Sequence, residues 1–122
     1  MLPACARGDD RAVWALLERG ADLEARRARG GRTAVMEASR NGHDLCVRIM
    51  IENGANVDAT QADDWTALMF AAKNGHVLCA RELLKAGASL EAKTAMGDTA
   101  LSLASRHPRC AKLLRCYARL RR

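Results

Sequence analysis

The sequence predicts an all-α solenoid, with about four short helix–turn–helix units stacked side by side in 122 residues. Three observations carry that expectation. First, Thr33, Thr66 and Thr99 lie 33 positions apart. Gly42 and Gly75, Gly54 and Gly87, and Ala38, Ala71 and Ala104 keep the same interval. A fixed period of this length marks a stacked repeat array. Second, each unit holds two helical patterns too short to be stable alone in water, so each must be packed by a neighbour. Third, the chain has one Phe, one Tyr and two Trp, so its core is aliphatic and Ala-rich. That suits closely stacked helices better than a sheet.

The clearest unit is TALMFAAKNGHVLCARELLKAGA, residues 66–88. Thr66 is an N-cap candidate, because its hydroxyl can accept from a first-turn N–H that has no helical partner. The first helical pattern runs to about Asn74 and stops at Gly75. The second runs from about Val77 to Lys85 and stops at Gly87. Gly is favoured just past a helix end, where the chain turns left-handed. With the preceding copy, TAVMEASRNGHDLCVRIMIENGANVDA, this unit resembles the ankyrin repeat family over essentially the whole chain. The family pattern is a turn, T-P-L-H, two small residues, G-H, an apolar helix and G-A. The resemblance implies antiparallel helix pairs with β-turn fingers standing across them, and a role in binding other proteins.

Residues 1–29 read as a first unit that lacks its start. Shifting the second unit back by 34 sets Gly42 on Gly8, Gly54 on Gly20 and Val47 on Val13. The chain is then either part of a longer array or begins with a minimal cap. Trp14 is expected to cover the open end of the stack. The next finger, RRARGGR at residues 26–32, holds one residue more than the others and four Arg. It reads either as a basic tip for acidic groups or as a solvated loop.

The second unit, 30–62, has Ala34-Val35-Met36 where the family has Pro-Leu-His; the third has Ala67-Leu68-Met69 and the last Ala100-Leu101-Ser102. The histidine that often ties neighbouring repeats is therefore expected to be missing every time, with some loss of stability. Met36 and Met69 read as packing filler. In the third unit, 63–95, Asp64 stands where the family has Gly, and Asp tolerates a left-handed backbone. Trp65 follows it, at a position whose side chain often faces the binding surface in this family. The alternative is a Trp laid over the neighbouring finger for structural reasons. The last unit, 96–122, puts Pro108 at the place of Gly75 and has lost two residues before its second helix. Leu113, Leu114, Tyr117 and Leu120 recur at helical spacing, opposite Lys112, Arg115, Arg119, Arg121 and Arg122. One face on the stack and one in water is what a terminal cap requires.

The net charge is +6, and all of it sits in residues 96–122, where seven basic residues face one acidic residue. Arg40, Lys73 and Arg106 form a second basic feature at 33-residue spacing, near the end of each first helix. Laid side by side on the inner surface, they would suit an acidic segment crossing the units. No run reaches the 18 apolar residues of a membrane span. MLPACARGDD lacks the layout of a secretory signal. Five Cys without close pairs point to a reducing compartment, cytoplasmic or nuclear.

Catalytic and metal chemistry are not expected. His43-x-x-Cys46, His76-x-x-Cys79 and His107-x-x-Cys110 look like metal half-sites. The pairs are spread along the stack, however, and zinc wants four convergent ligands. No nucleophile elbow or phosphate loop is present, and no cofactor is expected. The reading that follows is a monomeric, non-catalytic adaptor, scaffold or inhibitor within a single domain, 1–122, that binds another protein. Trp65 is the expected anchor, with Arg29, Arg32, Arg40, Asp63, Lys73, Met96 and Arg106 around it. Two alternatives stand beside it. One is nucleic-acid or anionic-surface binding through the basic last helix, with nucleic acid the less expected. The other is a fragment of a larger multidomain protein.

Overall fold

The structure is a computed structural model that describes residue 24 and residues 31–121. Most of the first unit, with Trp14 and most of the Arg-rich finger, lies outside the described residues. The described residues form six helices and no strand: α1 (Ala34–Asn41), α2 (Asp44–Glu52), α3 (Ala67–Asn74), α4 (Val77–Lys85), α5 (Ala100–Leu103) and α6 (Pro108–Leu120). No helix among them is long and apolar enough to cross a membrane.

The helices lie in two layers. In the first layer α1 packs on α3 and α3 on α5; in the second α2 packs on α4 and α4 on α6. Within each unit the first helix packs on the second. Helices of eight or nine residues gain little from propensity, so this lateral packing holds them. The seam is aliphatic: Met36, Val47, Met50, Leu68, Met69, Leu83 and Leu114 are fully buried. Met36 and Met69 thus fill the core, as their spacing implied. Cys46, Cys79 and Cys110 form a buried column beside them. Burial, aided by the charge of Asp44, pushes the Cys79 thiol up to about 12. Burial raises that of Cys110 as well.

The threonines cap as expected in two of three units. Thr66 Oγ1 accepts from the Met69 N–H at 3.4 Å, and Thr99 Oγ1 from that of Ser102 at 3.2 Å. The return bond uses the side chain at the place of the missing histidine. Thr66 N–H donates to Met69 Sδ at 3.4 Å, and Thr99 N–H to Ser102 Oγ at 2.9 Å. At Thr33 the box does not close, and its hydroxyl is buried without a partner among the described residues.

The motif histidine is absent from positions 36, 69 and 102, as expected, but other histidines tie the units. His76 Nε2 lies 3.1 Å from the Arg40 carbonyl, and His107 Nε2 lies 2.9 Å from that of Lys73. A carbonyl only accepts, so each Nε2 carries the proton. His76 belongs to the G-H turn and His107 takes its part in the last unit, and each ring reaches back across the preceding unit's glycine. Gly75 has φ 74°, and a Cβ there would fall 2.8 Å from Cε1 and Cγ of His107. Gly42 is related to His76 in the same way. Glycine is therefore required twice over, by backbone handedness and by the ring above it.

The last unit departs from its neighbours. Because His107 plays the part of His76, Pro108 stands at the place of Val77, not of Gly75, as the first residue of α6. Pro is tolerated there because a first-turn N–H has no helical partner to lose. The two missing residues shorten the first helix: α5 has four residues where α1 and α3 have eight. Positions that the inner units bury turn polar here. Met36 and Met69 become Ser102, and Leu84 becomes Arg115, which is exposed. Leu101 stays large and apolar but is 40% exposed where its counterpart Leu68 is fully covered. Arg121 is exposed, as expected, but it is also tied to the stack. Its guanidinium donates to the Ala88 carbonyl at 2.7 Å and to that of Leu84 at 3.1 Å, closing the end of α4.

Candidate functional site

The site is built on the finger that precedes α3. Asp64 N–H donates to the Gln61 carbonyl at 3.0 Å, and Gln61 N–H to that of Trp65 at 3.1 Å, which makes a tight turn. Asp64 sits at its tip with φ 65°, the single non-glycine residue with positive φ among the described residues. Gly31 and Gly97 hold the same tip in the adjacent fingers, each 33 positions away. The Gln61 carboxamide accepts from the Asp63 N–H, and Ala95 N–H donates to the Asp63 carbonyl at 2.9 Å, joining this finger to the next. Trp65 therefore leaves a braced turn.

Its ring rests on the second turn of α3. Trp65 is half-buried, 5.1 Å centroid to centroid from Phe70 and tilted by 37°. Lys73 Nζ lies 5.1 Å from the centre of the Trp65 ring, within cation–π range. Positions 65 and 70 correspond to 32 and 37 one unit earlier and to 98 and 103 one unit later. In the second unit that pair is an ion pair: the Arg32 guanidinium meets the buried Glu37 carboxylate. The same contact between finger and helix is thus an ion pair in one unit and an aromatic pair in the next.

Between the two units lies a groove of about 450 Å³, lined by Arg40, Asp63, Trp65, Phe70 and Lys73, with the side-chain amides of Asn41, Gln61 and Asn74 on its walls. The carbonyls of Arg40 and Lys73 are held from the next unit by the two histidines. Asn74 Nδ2 adds a second donor to the Arg40 carbonyl at 3.0 Å. The side chains of Arg40 and Lys73 are exposed and make no ion pair among the described residues. Their backbones are pinned while their charges are left facing the groove. An anion entering it meets two cations on a rigid base, with Asp63 as the one acidic group on the rim.

The sequence model of the family described as Ankyrin repeats (3 copies) matches residues 1–61 and again residues 57–121. The chain belongs to the ankyrin repeat family. Ankyrin repeats are non-catalytic modules for protein–protein interaction. Comparison with curated proteins finds no match.

The ankyrin stack brings together four of the residues singled out in the sequence: Arg40, Asp63, Trp65 and Lys73. Arg32 is turned onto Glu37, so it compensates a buried carboxylate instead of standing free. Met96 is 88% exposed on the following finger, outside the groove. Arg106 was expected near the end of a first helix, in line with Arg40 and Lys73. It lies instead in the turn beyond α5, because that helix stops at Leu103. Arg29 lies outside the described residues. Sequence reasoning missed Gln61 and Phe70 as parts of the groove, and His76 as the group that fixes Arg40. Phe70 was detectable, since it takes the register of Glu37 while Trp65 takes that of Arg32.

Proposed function

We propose that this ankyrin repeat chain is a non-catalytic adaptor, scaffold or inhibitor that binds an acidic segment of another protein across the Arg40–Trp65–Lys73 groove. The observation that supports this is the meeting of two unpaired cations and a half-covered indole in one groove, on backbone braced from both neighbouring units. A half-buried Trp beside basic groups has the composition of an interface hot spot. Asp63 and Met96 lie beyond the cations on the finger side and would contact a longer segment. The chain acts as a monomer in a reducing compartment, cytoplasmic or nuclear, which suits the thiol state of Cys79, Cys110 and Cys116.

The experiment is affinity measurement on the captured partner with Trp65→Ala. Loss of a hot spot weakens binding by about 30-fold or more, with unchanged helix content by circular dichroism. A collapse of the helical signal would reassign Trp65 to structure. A second reading is favoured by one observation: Arg109, Lys112, Arg115 and Arg119 are all exposed on α6. That surface would bind polyanions. A steep salt dependence of duplex DNA binding, lost in a charge-reversed α6, would establish it in place of the groove.

A further inference from the structure

Lys73 occupies the face of Trp65 that an apolar ligand group needs. Its ammonium stands 5.1 Å from the ring centre and makes no ion pair among the described residues. The ring also packs against Phe70, which is 9% exposed and fixed in the core. An incoming side chain that stacks on the indole where Lys73 now lies must displace the ammonium. Arg40, the other groove cation, stands at the same register one unit earlier and makes no cation–π contact with the indole.

Two competing terms set what can enter. Lifting an ammonium from an exposed ring forfeits a weak cation–π attraction. Pairing the same ammonium with an exposed carboxylate gains an amount of similar size. An acidic residue alone thus roughly breaks even at Lys73. An apolar residue alone must evict Lys73 with nothing offered in return. A segment that carries both gives the ammonium a new partner and covers the uncovered indole at once. Only this combination adds apolar burial to a balanced exchange.

We infer that the groove selects a peptide segment in which an acidic residue directly adjoins a large aliphatic or aromatic one, the acid drawing Lys73 off Trp65 and the apolar neighbour taking its place on the ring. This rests on the groove reading of the preceding section. It narrows the partner from acidic segments in general to those with an acidic–apolar pair. Asp63 on the same rim disfavours a longer run of acids by like-charge repulsion.

The test uses the full chain labelled with 5-fluorotryptophan and three peptides. These are acetyl-Ala-Ala-Glu-Leu-Ala-Ala-amide, the same peptide with Ala for Leu, and the same peptide with Gln for Glu. The chain has two Trp, so the Trp65 fluorine resonance is assigned by its loss in Trp65→Phe. The Glu-Leu peptide should bind about tenfold more tightly than either control, from partial burial of one Leu side chain. It should also move the Trp65 resonance at saturation. Lys73→Met should move that resonance in the free protein and erase the advantage of Glu over Gln. Equal binding of the Glu-Leu and Glu-Ala peptides overturns the inference while leaving the groove reading in place. Absence of binding by all three overturns both.

Discussion

Replacing Gly75 by alanine tests how the units are fastened to one another. At φ 74° an alanine pays the steric cost of a left-handed backbone, roughly 1–2 kcal/mol. Its methyl also lands on the His107 imidazole, so the ring must withdraw from the Lys73 carbonyl. Losing that hydrogen bond costs about 1 kcal/mol more. The sum is roughly 2–3 kcal/mol, which lowers a urea midpoint by about 1 M or more at the slope of a domain this size. Gly87→Ala is the control, because Gly87 has φ 89° and nothing within 4 Å of a new Cβ. It should lose the backbone term alone. The measurement is urea unfolding followed by circular dichroism at 222 nm, repeated in a His107→Ala background. With the ring gone, the excess cost of Gly75→Ala over Gly87→Ala should vanish. Equal losses for the two glycines in the wild-type chain, or an excess that persists without His107, would refute the clasp.

Two further outcomes follow from buried groups. Arg32→Ala strands the Glu37 carboxylate, 2% exposed, and should cost about 3 kcal/mol or more in thermal or urea unfolding. The double change Arg32→Trp with Glu37→Phe, which copies the third unit's chemistry into the second, should recover most of it. The raised Cys79 thiol gives an alkaline signature. Its pKa goes from an ordinary 9.0 to about 12 on folding, with burial the main cause. Its contribution is intact below pH 9 and is lost as pH climbs through the interval up to about 12, because the unfolded chain ionises first. In denaturation melts Cys79 should contribute a fall in stability of ~1.4 kcal/mol per pH unit in that interval, a contribution that Cys79→Ala removes while that of Cys110 remains.

The fold could be read from the sequence because periodicity is a property of residue type. The spacing of Thr33, Thr66 and Thr99 located the starts of α1, α3 and α5. The glycines located the ends of α1 to α4 to within a residue or two. Trp65 and Lys73 were legible as parts of a surface for the same reason. Their contact was not, since it depends on a rotamer that brings a flexible side chain back over a ring eight positions earlier. Arg32 was misjudged because Glu37 looks solvated in a sequence and is buried in the stack. Arg106 was misjudged because an offset of 33 was carried across two missing residues. The pairing of His107 with the Lys73 carbonyl bridges 34 positions, a relation that emerges only once neighbouring units are laid against each other.

The clasp joins residues that belong to different copies of the motif, so neither copy can drift independently. Position 42 can acquire a side chain only after the ring at 76 has shrunk or left, and position 75 only after the ring at 107 has done so. Among descendants of this chain, those two pairs should vary in step. Duplication or deletion of a whole copy should be tolerated best when the cut keeps each glycine next to a histidine from the copy that follows.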